Sequence, residues 1–598
     1  MPAESILEPA RPDNRHVRVD QLIGLLGLLA VGMSWLIPNK NFPWLSAWNE
    51  GAAFAGGLFL AGAAIVVSKR NPNAQKKGVP WPLTVFVLLS LATVWVQWLA
   101  GLLLFHGDAF MVTLYLVGFW LAIYAGIHLA QSPEGDSWMV GLATTILMAG
   151  VVTVGMMLVQ WTQVYSLVVF VQETGIGARP FANLGQINHI NTLLFMACCA
   201  LMYLGDQKKI HMPVVFAGLA YLTLGMALTQ SRTAWVQVGA CIVYSCWMTR
   251  SLTFSKNRYT YCLAALYFGW VLAMPAIMNG LQLAGAREVN VSGTLHDLRR
   301  YAWLAMGDAI LKRPLAGWGW LQNASAQLAV AMNHPPLRYE FNYSHNLILD
   351  LLLWCGLPIG GILVALLALW GIKHLFASER NVNFMMAMLM GIAVHCLLEY
   401  PFAYAYFLIP AGLIAGFIEC QTPKFSALEP NPPFVMGIAS AFLILFAKTG
   451  AEVISSIAAD TALRTEAAKI GLPEKKYDPP KLVVLDQLGA LLKFRSIEPR
   501  PKMTQEGLAL MERVAHRYIK FAILADLAYA KGLNNNVQAQ NHYIDLGCAI
   551  YGETRCIRDM RDWSFRRTQT GGRIDIYYAP QKNEPIKTPL VQNKISAS

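Results

Sequence analysis

The sequence predicts an all-α, polytopic membrane protein, and three observations carry that prediction. Hydrophobic residues fill 55% of the 598 positions and charged residues only 14%. Apolar runs of about 17 to 26 residues recur along the chain, long enough as helices to cross a hydrocarbon core of roughly 30 Å. Lysine and arginine gather in alternate short connections between those runs, which is a topology signal. The expected architecture is about thirteen transmembrane helices, a large loop at about 280–345 and a C-terminal soluble helical domain.

Residues 1–20 are polar, carry Arg11, Arg15 and Arg18, and read as a cytoplasmic tail. The first apolar run, Gln21 to Ile37, lacks a small-residue cleavage site and reads as a retained span. Expected spans are 21–37, 51–67, 82–105, 109–131, 138–159, 189–204, 213–229, 233–249, 260–279, 346–371, 383–398, 402–418 and 433–450. They define a transmembrane domain over 21–450.

Sidedness follows from the connections. One set holds the N-terminus, Lys69-Arg70 with Lys76-Lys77, Lys208-Lys209, Arg250 with Lys256 and Arg258, Lys373 with Arg380, and Lys424. The other set is sparse, with Lys40 and Arg179 isolated. The basic set is expected in the cytoplasm. An odd number of spans then puts the 160–188 connection, the long loop and the tail on the far side, the periplasm of a bacterial inner membrane. Arg287, Arg299 and Arg300 lie in the long loop, and long loops obey the charge rule weakly.

Residues 451–598 are more polar, and Thr461–Ile470, Lys481–Lys493, Thr504–Leu524 and Val537–Tyr551 repeat apolar residues at helical spacing. A periplasmic helical domain is expected there. Its Cys548 and Cys556 either pair in a disulfide or stay reduced and buried. The other eight cysteines lie in or beside apolar runs and read as small hydrophobes.

The net charge of +12 comes without a basic stripe interleaved with aromatics, so no nucleic-acid partner is expected. Zinc-type spacing, a phosphate-binding glycine loop, a dinucleotide fingerprint and an outer-loop Asp-x-Asp pair are all missing from the sequence. That argues against nucleotide-sugar chemistry and ATP-driven transport. No metal and no cofactor are expected.

Chemistry-bearing residues fall almost entirely on the far side. Phe341-Asn342-Tyr343-Ser344-His345-Asn346 closes the long loop at the mouth of a span. His345 reads either as an interfacial histidine making ordinary hydrogen bonds or as a base working near neutral pH. Gln230-Ser231-Arg232-Thr233 forms a short turn between two spans. There Arg232 either snorkels to headgroups or offers its planar fork to a diphosphate. Pro180–His189 reads as a polar turn and helix start: Gln186 and Asn188 either cap that helix or bond sugar and phosphate oxygens, and His189 is a rival catalytic histidine. Glu399, near His395, Tyr400 and Pro401 at another outer turn, is either an arginine's ion-pair partner or an interfacial carboxylate. Asn346 and Asp350 are i,i+4 neighbours expected to touch. Trp318, Trp320 and Trp354 are expected as interface anchors.

The order of these motifs resembles the Wzy/WaaL superfamily of O-antigen ligases, O-antigen polymerases and PglL-type protein O-oligosaccharyltransferases. Arg232, Arg300, Pro314, Gly317, Gly319 and His345 stand where that pattern expects them. The Arg179-Pro180-Phe181-Ala182-Asn183-Leu184-Gly185-Gln186-x-Asn188-His189 run, the His395-x-x-x-Glu399-Tyr400-Pro401 segment and the helical tail resemble the PglL-type branch. Ala182 and Ile187 depart from it, since glycine is common at the first position and proline or arginine at the second. Gln186 and Asn188 remain available.

The resemblance implies metal-independent transfer of a glycan from undecaprenyl pyrophosphate to a Ser or Thr hydroxyl of a periplasmic or pilin-like protein. It gives His345 the role of general base, and gives Arg232 and Arg300 that of holding the pyrophosphate. Gln186, Asn188, His189, Glu399 and Tyr400 would position substrate. Lipid A–core ligation is the nearest alternative, then O-antigen polymerisation. A membrane transporter is a different class, opposed by the scarcity of mid-membrane ionisable residues.

Overall fold

The computed structural model describes residues 18–70, 78–165, 170–175, 177–250, 253–281, 295–376, 379–468, 470 and 478–560. Arg11, Arg15, Lys76, Lys77 and Arg287 lie outside the described residues.

Helices dominate, because an apolar chain in lipid must satisfy its backbone groups internally. Nine come before the long loop: α1 (Val19–Leu36), α2 (Ala47–Arg70), α3 (Trp81–Leu99), α4 (His106–Ala130), α5 (Gly135–Thr162), α6 (Ile187–Asp206), α7 (Met212–Leu228), α8 (Arg232–Thr249) and α9 (Phe254–Gly280). The loop itself carries α10 (Leu295–Lys312) and α11 (Asn323–Val330). Then come α12 (Leu347–Leu375), α13 (Arg380–Cys396), α14 (Ala405–Gln421) and α15 (Pro432–Ala467). The tail adds α16 (Asp486–Ser496), α17 (Gln505–Arg517), α18 (Phe521–Leu533) and α19 (Val537–Tyr551). Two-residue strands, β1 (Val79–Pro80) and β2 (Ala427–Leu428), pair antiparallel.

A helix stands at each expected span. Among the described residues, nine of these helices are long and apolar enough to cross a membrane. The helices over Met212–Leu228, Asn381–Cys396 and Ala405–Gln421 are apolar but shorter, and α8 meets neither description. Length and composition therefore qualify nine spans. The interior is built on α6 and α4, with 89% and 78% of their apolar windows buried, whereas α9 and α15 show 22% and 17% and keep an apolar surface free for lipid.

Alternation of the helices gathers one set of connections at one end of the bundle. Asn39 Nδ2 donates to Leu184 O at 2.9 Å, and the turns after α7 and α13 meet the start of α6 there. At the opposite end β1 pairs with β2 and Gln207 Nε2 donates to Asn381 Oδ1 at 2.6 Å. Arg70, Lys208, Lys209, Arg250, Lys373 and Lys424 belong to that opposite set, so the basic connections and the candidate site lie at different ends.

The tenth expected span is broken. Within α12, Gly356 has φ 73° and ψ 171°, a conformation open to glycine, and Pro358 follows without an N–H to donate. The Pro314–Gly319 turn fills the gap. Trp318 N donates to Leu353 O at 2.8 Å, Gly319 N to Trp354 O at 3.1 Å, and Leu357 N to Pro314 O at 2.7 Å. Gln97 Nε2 adds a bond to Trp354 O at 2.7 Å. The glycine-rich turn thus satisfies backbone groups that the break releases.

Trp318, Trp320 and Trp354, expected at the interface, are instead buried, at 9%, 6% and 2% exposure. They wedge this break, with Trp354 Nε1 donating to Asn323 Oδ1 at 2.7 Å.

One continuous helix, α15, runs past residue 450 to Ala467. The expected helix over Thr504–Leu524 ends at Arg517 and restarts at Phe521. The tail helices do not form an isolated core: Met511, Val514 and Leu527 share one cluster with Phe105 and Leu328 of the membrane domain. Arg517 grips Asp108 through Nε–Oδ2 and Nη2–Oδ1 contacts of 3.0 Å each. Gly107 N donates to Asp486 Oδ1 at 2.7 Å. Cys548 and Cys556 are disulfide-bonded.

Candidate active site

Glu399 is the hub of the site. It follows α13 in a short turn and is only 5% exposed. Its Oε2 lies 2.6 Å from His345 Nδ1, while Oε1 receives Arg299 Nη2 in an ion pair and Asn188 Nδ2 at 3.1 Å. Burial by itself would lift this carboxyl, but His345 and Arg299 outweigh it and hold the pKa below the ordinary carboxylate value. An ionised carboxylate only accepts, so Nδ1 of His345 carries the proton. That leaves Nε2 as the nitrogen able to take a proton from a substrate.

Local sequence explains how His345 is presented. Its φ of 60° is left-handed, an uncommon state in which histidine is enriched. The chain then turns straight into α12, where Asn346 Oδ1 caps the amides of Ile348 and Leu349 at 3.0 and 3.2 Å. Ser344 is fixed from both sides: its N–H donates to Asp350 Oδ1 at 2.8 Å and its carbonyl accepts Trp303 Nε1 at 3.0 Å. Asp350 also accepts from Asn323 Nδ2 at 2.7 Å. The expected Asn346–Asp350 side-chain contact gives way to these bonds. His345 keeps 24% side-chain exposure, so it is anchored yet reachable.

Aromatic rings line the same opening. Tyr400 meets the His345 ring edge-on at 4.9 Å and stacks on Tyr343 at 4.8 Å. Burial, followed by the neighbouring Glu399 charge, pushes the Tyr400 hydroxyl up from its ordinary value. It is therefore a neutral hydroxyl at physiological pH.

The Gln186 segment behaves as a helix start. Gln186 Oε1 accepts from His189 N at 2.9 Å, the capping reading of that residue. Asn188 instead faces Glu399, and its Oδ1 accepts from Ser231 Oγ at 2.6 Å. Ser231 in turn caps α8, accepting from Thr233 N at 3.2 Å. His189 is 1% exposed with Nδ1 2.9 Å from Tyr406 Oη, in the wall rather than the opening. His395 is fully buried, with Nδ1 2.8 Å from Thr192 Oγ1.

The arginines divide. Arg299 is joined to Glu399, while Arg300, next to it on α10, is exposed, as is Arg232 at the start of α8. Successive helical residues point about 100° apart, so one of a pair can turn inward and its neighbour outward. Among the described residues no group of three or more His, Cys, Asp or Glu could hold a metal ion.

A cavity of about 1090 Å³ is lined by Tyr343 and Leu347, on either side of His345 in the chain, and by Leu397, two residues before Glu399. It follows α12 from Leu347 to Leu375, with walls from α4, α13 and α14 that include Tyr115, Cys396 and Phe407. Leu485, Leu488, Arg517 and Tyr518 of the tail line it as well. The lining is overwhelmingly apolar.

With this geometry in view, two family models match the chain. Residues 217–365 match a model described as O-antigen ligase. Residues 383–555 match one described as virulence factor membrane-bound polymerase, C-terminal. The resemblance to the Wzy/WaaL superfamily is borne out. Two Acinetobacter baylyi relatives of the PglL-type branch are similar over most of the chain. A general O-oligosaccharyltransferase is 28% identical over 82% of this chain and 86% of its own. A ComP-specific O-oligosaccharyltransferase is 29% identical over 67% of this chain and 71% of its own. The findings support a multi-pass membrane glycosyltransferase of the Wzy/WaaL type. The first model spans Arg232 and His345, and the second spans Glu399 and most of the tail.

Sequence reasoning missed Ser231 as a contact of Asn188, and Gln97 and Asp108 as buried anchors. Gln97 and Asp108 carried a signal, since a polar or charged side chain in or beside an apolar run needs a partner.

Proposed function

We propose that this protein transfers a preassembled glycan from undecaprenyl pyrophosphate to a Ser or Thr hydroxyl of a periplasmic or pilin-like protein. The observation that carries the reading is His345, oriented by Glu399 and set between Tyr343 and Leu347, which line a long apolar cavity. In the reaction His345 Nε2 takes the proton of the acceptor hydroxyl. The hydroxyl oxygen attacks the anomeric carbon, and the bond from that carbon to the pyrophosphate oxygen breaks. Arg232 and Arg300 stabilise the charge that develops on the departing pyrophosphate. Direct displacement inverts the anomeric centre, and no metal takes part.

The apolar cavity suits a polyprenyl tail, with the pyrophosphate assigned to the end where Tyr343 and Leu347, which flank His345 in the chain, line it. We assign the site end of the bundle and the tail to the periplasm of a bacterial inner membrane, with thirteen spans, because the basic connections lie at the other end. Arg299 is engaged with Glu399, and Arg300, exposed beside it on α10, is assigned to the donor.

The test gives purified protein an undecaprenyl-pyrophosphate-linked glycan, with a pilin-type acceptor and a lipid A–core acceptor in parallel, and EDTA throughout. Glycan on the pilin-type protein supports the proposal. Glycan only on lipid A–core makes the protein a ligase, and transfer that fails in EDTA but returns with excess divalent cation removes the metal-free mechanism.

A further inference from the structure

Asn188 and Ser231 have no role in the reaction as written above, yet both belong to the hydrogen-bond network around the base. Bond directions in this network are fixed by chemistry. Glu399, as a carboxylate, only accepts, so Asn188 must turn its Nδ2 toward it, at 3.1 Å. That leaves Asn188 Oδ1 to accept from Ser231 Oγ at 2.6 Å. Ser231 Oγ accepts from Thr233 N at 3.2 Å, and its own proton therefore points at Asn188. Ser231 immediately precedes Arg232.

We infer that Asn188, oriented by Ser231, is a positioning residue that acts through Glu399 to hold His345 as a base, and that this chain of bonds ties the Arg232 turn to the base. The inference rests on the proposed transfer reaction and adds residues to it. Without the Asn188 N–H, Arg299 is the one partner left to Glu399 Oε1 among the described residues, and the carboxylate is held less firmly against His345 Nδ1. Both amide atoms of Asn188 are already engaged by Glu399 and Ser231, so it is not assigned to the donor. Its loss therefore lowers turnover rather than donor affinity.

Three variants separate this from direct donor binding. Asn188→Ala lowers kcat by roughly tenfold to a hundredfold, less than the ~10²–10⁴-fold that a general base contributes, with KM for the lipid-linked glycan within about threefold. Asn188→Asp sets a second carboxylate against Glu399, and two such groups share one proton under mildly acidic conditions. That proton restores a bridge, so the ratio of variant to wild-type kcat climbs as pH falls from about 8 to about 6. Ser231→Ala lowers kcat as well, and Ser231→Thr, which keeps the hydroxyl and the cap, restores it.

A pH-independent rise in KM for either Asn188 variant, with kcat unchanged, overturns the inference in favour of donor contact. So does wild-type activity in Asn188→Ala. Should Asn188→Ala fail to fold, the pH ratio of Asn188→Asp and the Ser231 pair decide alone.

An activity-independent readout separates the inference from the reaction. ¹⁵N-histidine NMR of the full chain, with His345 assigned by its loss in His345→Ala, reports the Nδ1–H form in the wild type. A mixture of tautomers in Asn188→Ala supports positioning even if no glycan is transferred, and an unchanged tautomer overturns it.

Discussion

Glu399 Oε2 and His345 Nδ1 stand 2.6 Å apart, joining the turn after the eleventh expected span to the mouth of the tenth. The carboxylate is 5% exposed, so its interactions are little screened by water. Removing its charge tests what the pair does.

Glu399→Gln keeps the shape but can present an N–H to His345, and the wrong tautomer then leaves no lone pair at Nε2. Transfer falls by roughly 10²-fold or more, within the range that general-base catalysis supplies. Donor binding, measured by displacement of a labelled lipid pyrophosphate, stays within a few-fold of wild type.

The Glu399 pKa is lowered in the folded protein, by His345 and Arg299 acting against burial. A depressed carboxyl contributes stability that is full above its unfolded value of about 4.3 and is lost as pH falls through the folded value. Thermal unfolding in detergent should show the wild type ahead of Glu399→Gln by a constant margin above about pH 5.5. That margin shrinks below about pH 4.5. A margin that grows on acidification contradicts the assignment.

Gly317 has φ 68° and packs against the break in α12, where an added Cβ would lie 2.6 Å from Gly356 N. Gly317→Ala therefore combines a left-handed backbone with a backbone clash and should destabilise by about 2–4 kcal/mol. Melting by intrinsic fluorescence reads this. Gly361, whose Cβ would meet nothing within 4 Å, provides the control, and Gly361→Ala leaves the melting temperature nearly unchanged.

Arg517 and Asp108 form a bidentate pair, with side chains 13% and 1% exposed. Arg517→Ala strands a buried carboxylate, a change that costs about 3–5 kcal/mol. Limited proteolysis should then cleave between α15 and α17 faster than in the wild type, and Asp108→Asn in the same chain should recover part of the loss.

Much of this was legible in the chain and some was not, for physical reasons. Apolar run length marked the helix positions, and loop arginines and lysines separated the two ends of the bundle. Ser344-His345-Asn346 and Glu399 were found because polar residues at span ends stand out against apolar neighbours. The break at Gly356 was hidden, since Leu347–Leu375 is apolar on both sides of it. The tryptophans near residues 318–354 were misplaced because burial at the break and anchoring at an interface leave the same composition. Nothing in a sequence tells which of Arg299 and Arg300 turns inward, because that depends on the rotational setting of α10.

The most direct test of the central claim is glycan transfer by His345→Ala, from undecaprenyl-pyrophosphate-linked glycan to a pilin-type acceptor. The account predicts a folded protein with wild-type melting and retained donor binding whose transfer is lost by about 10²–10⁴-fold. Transfer within a few-fold of wild type would contradict it and remove His345 as the base.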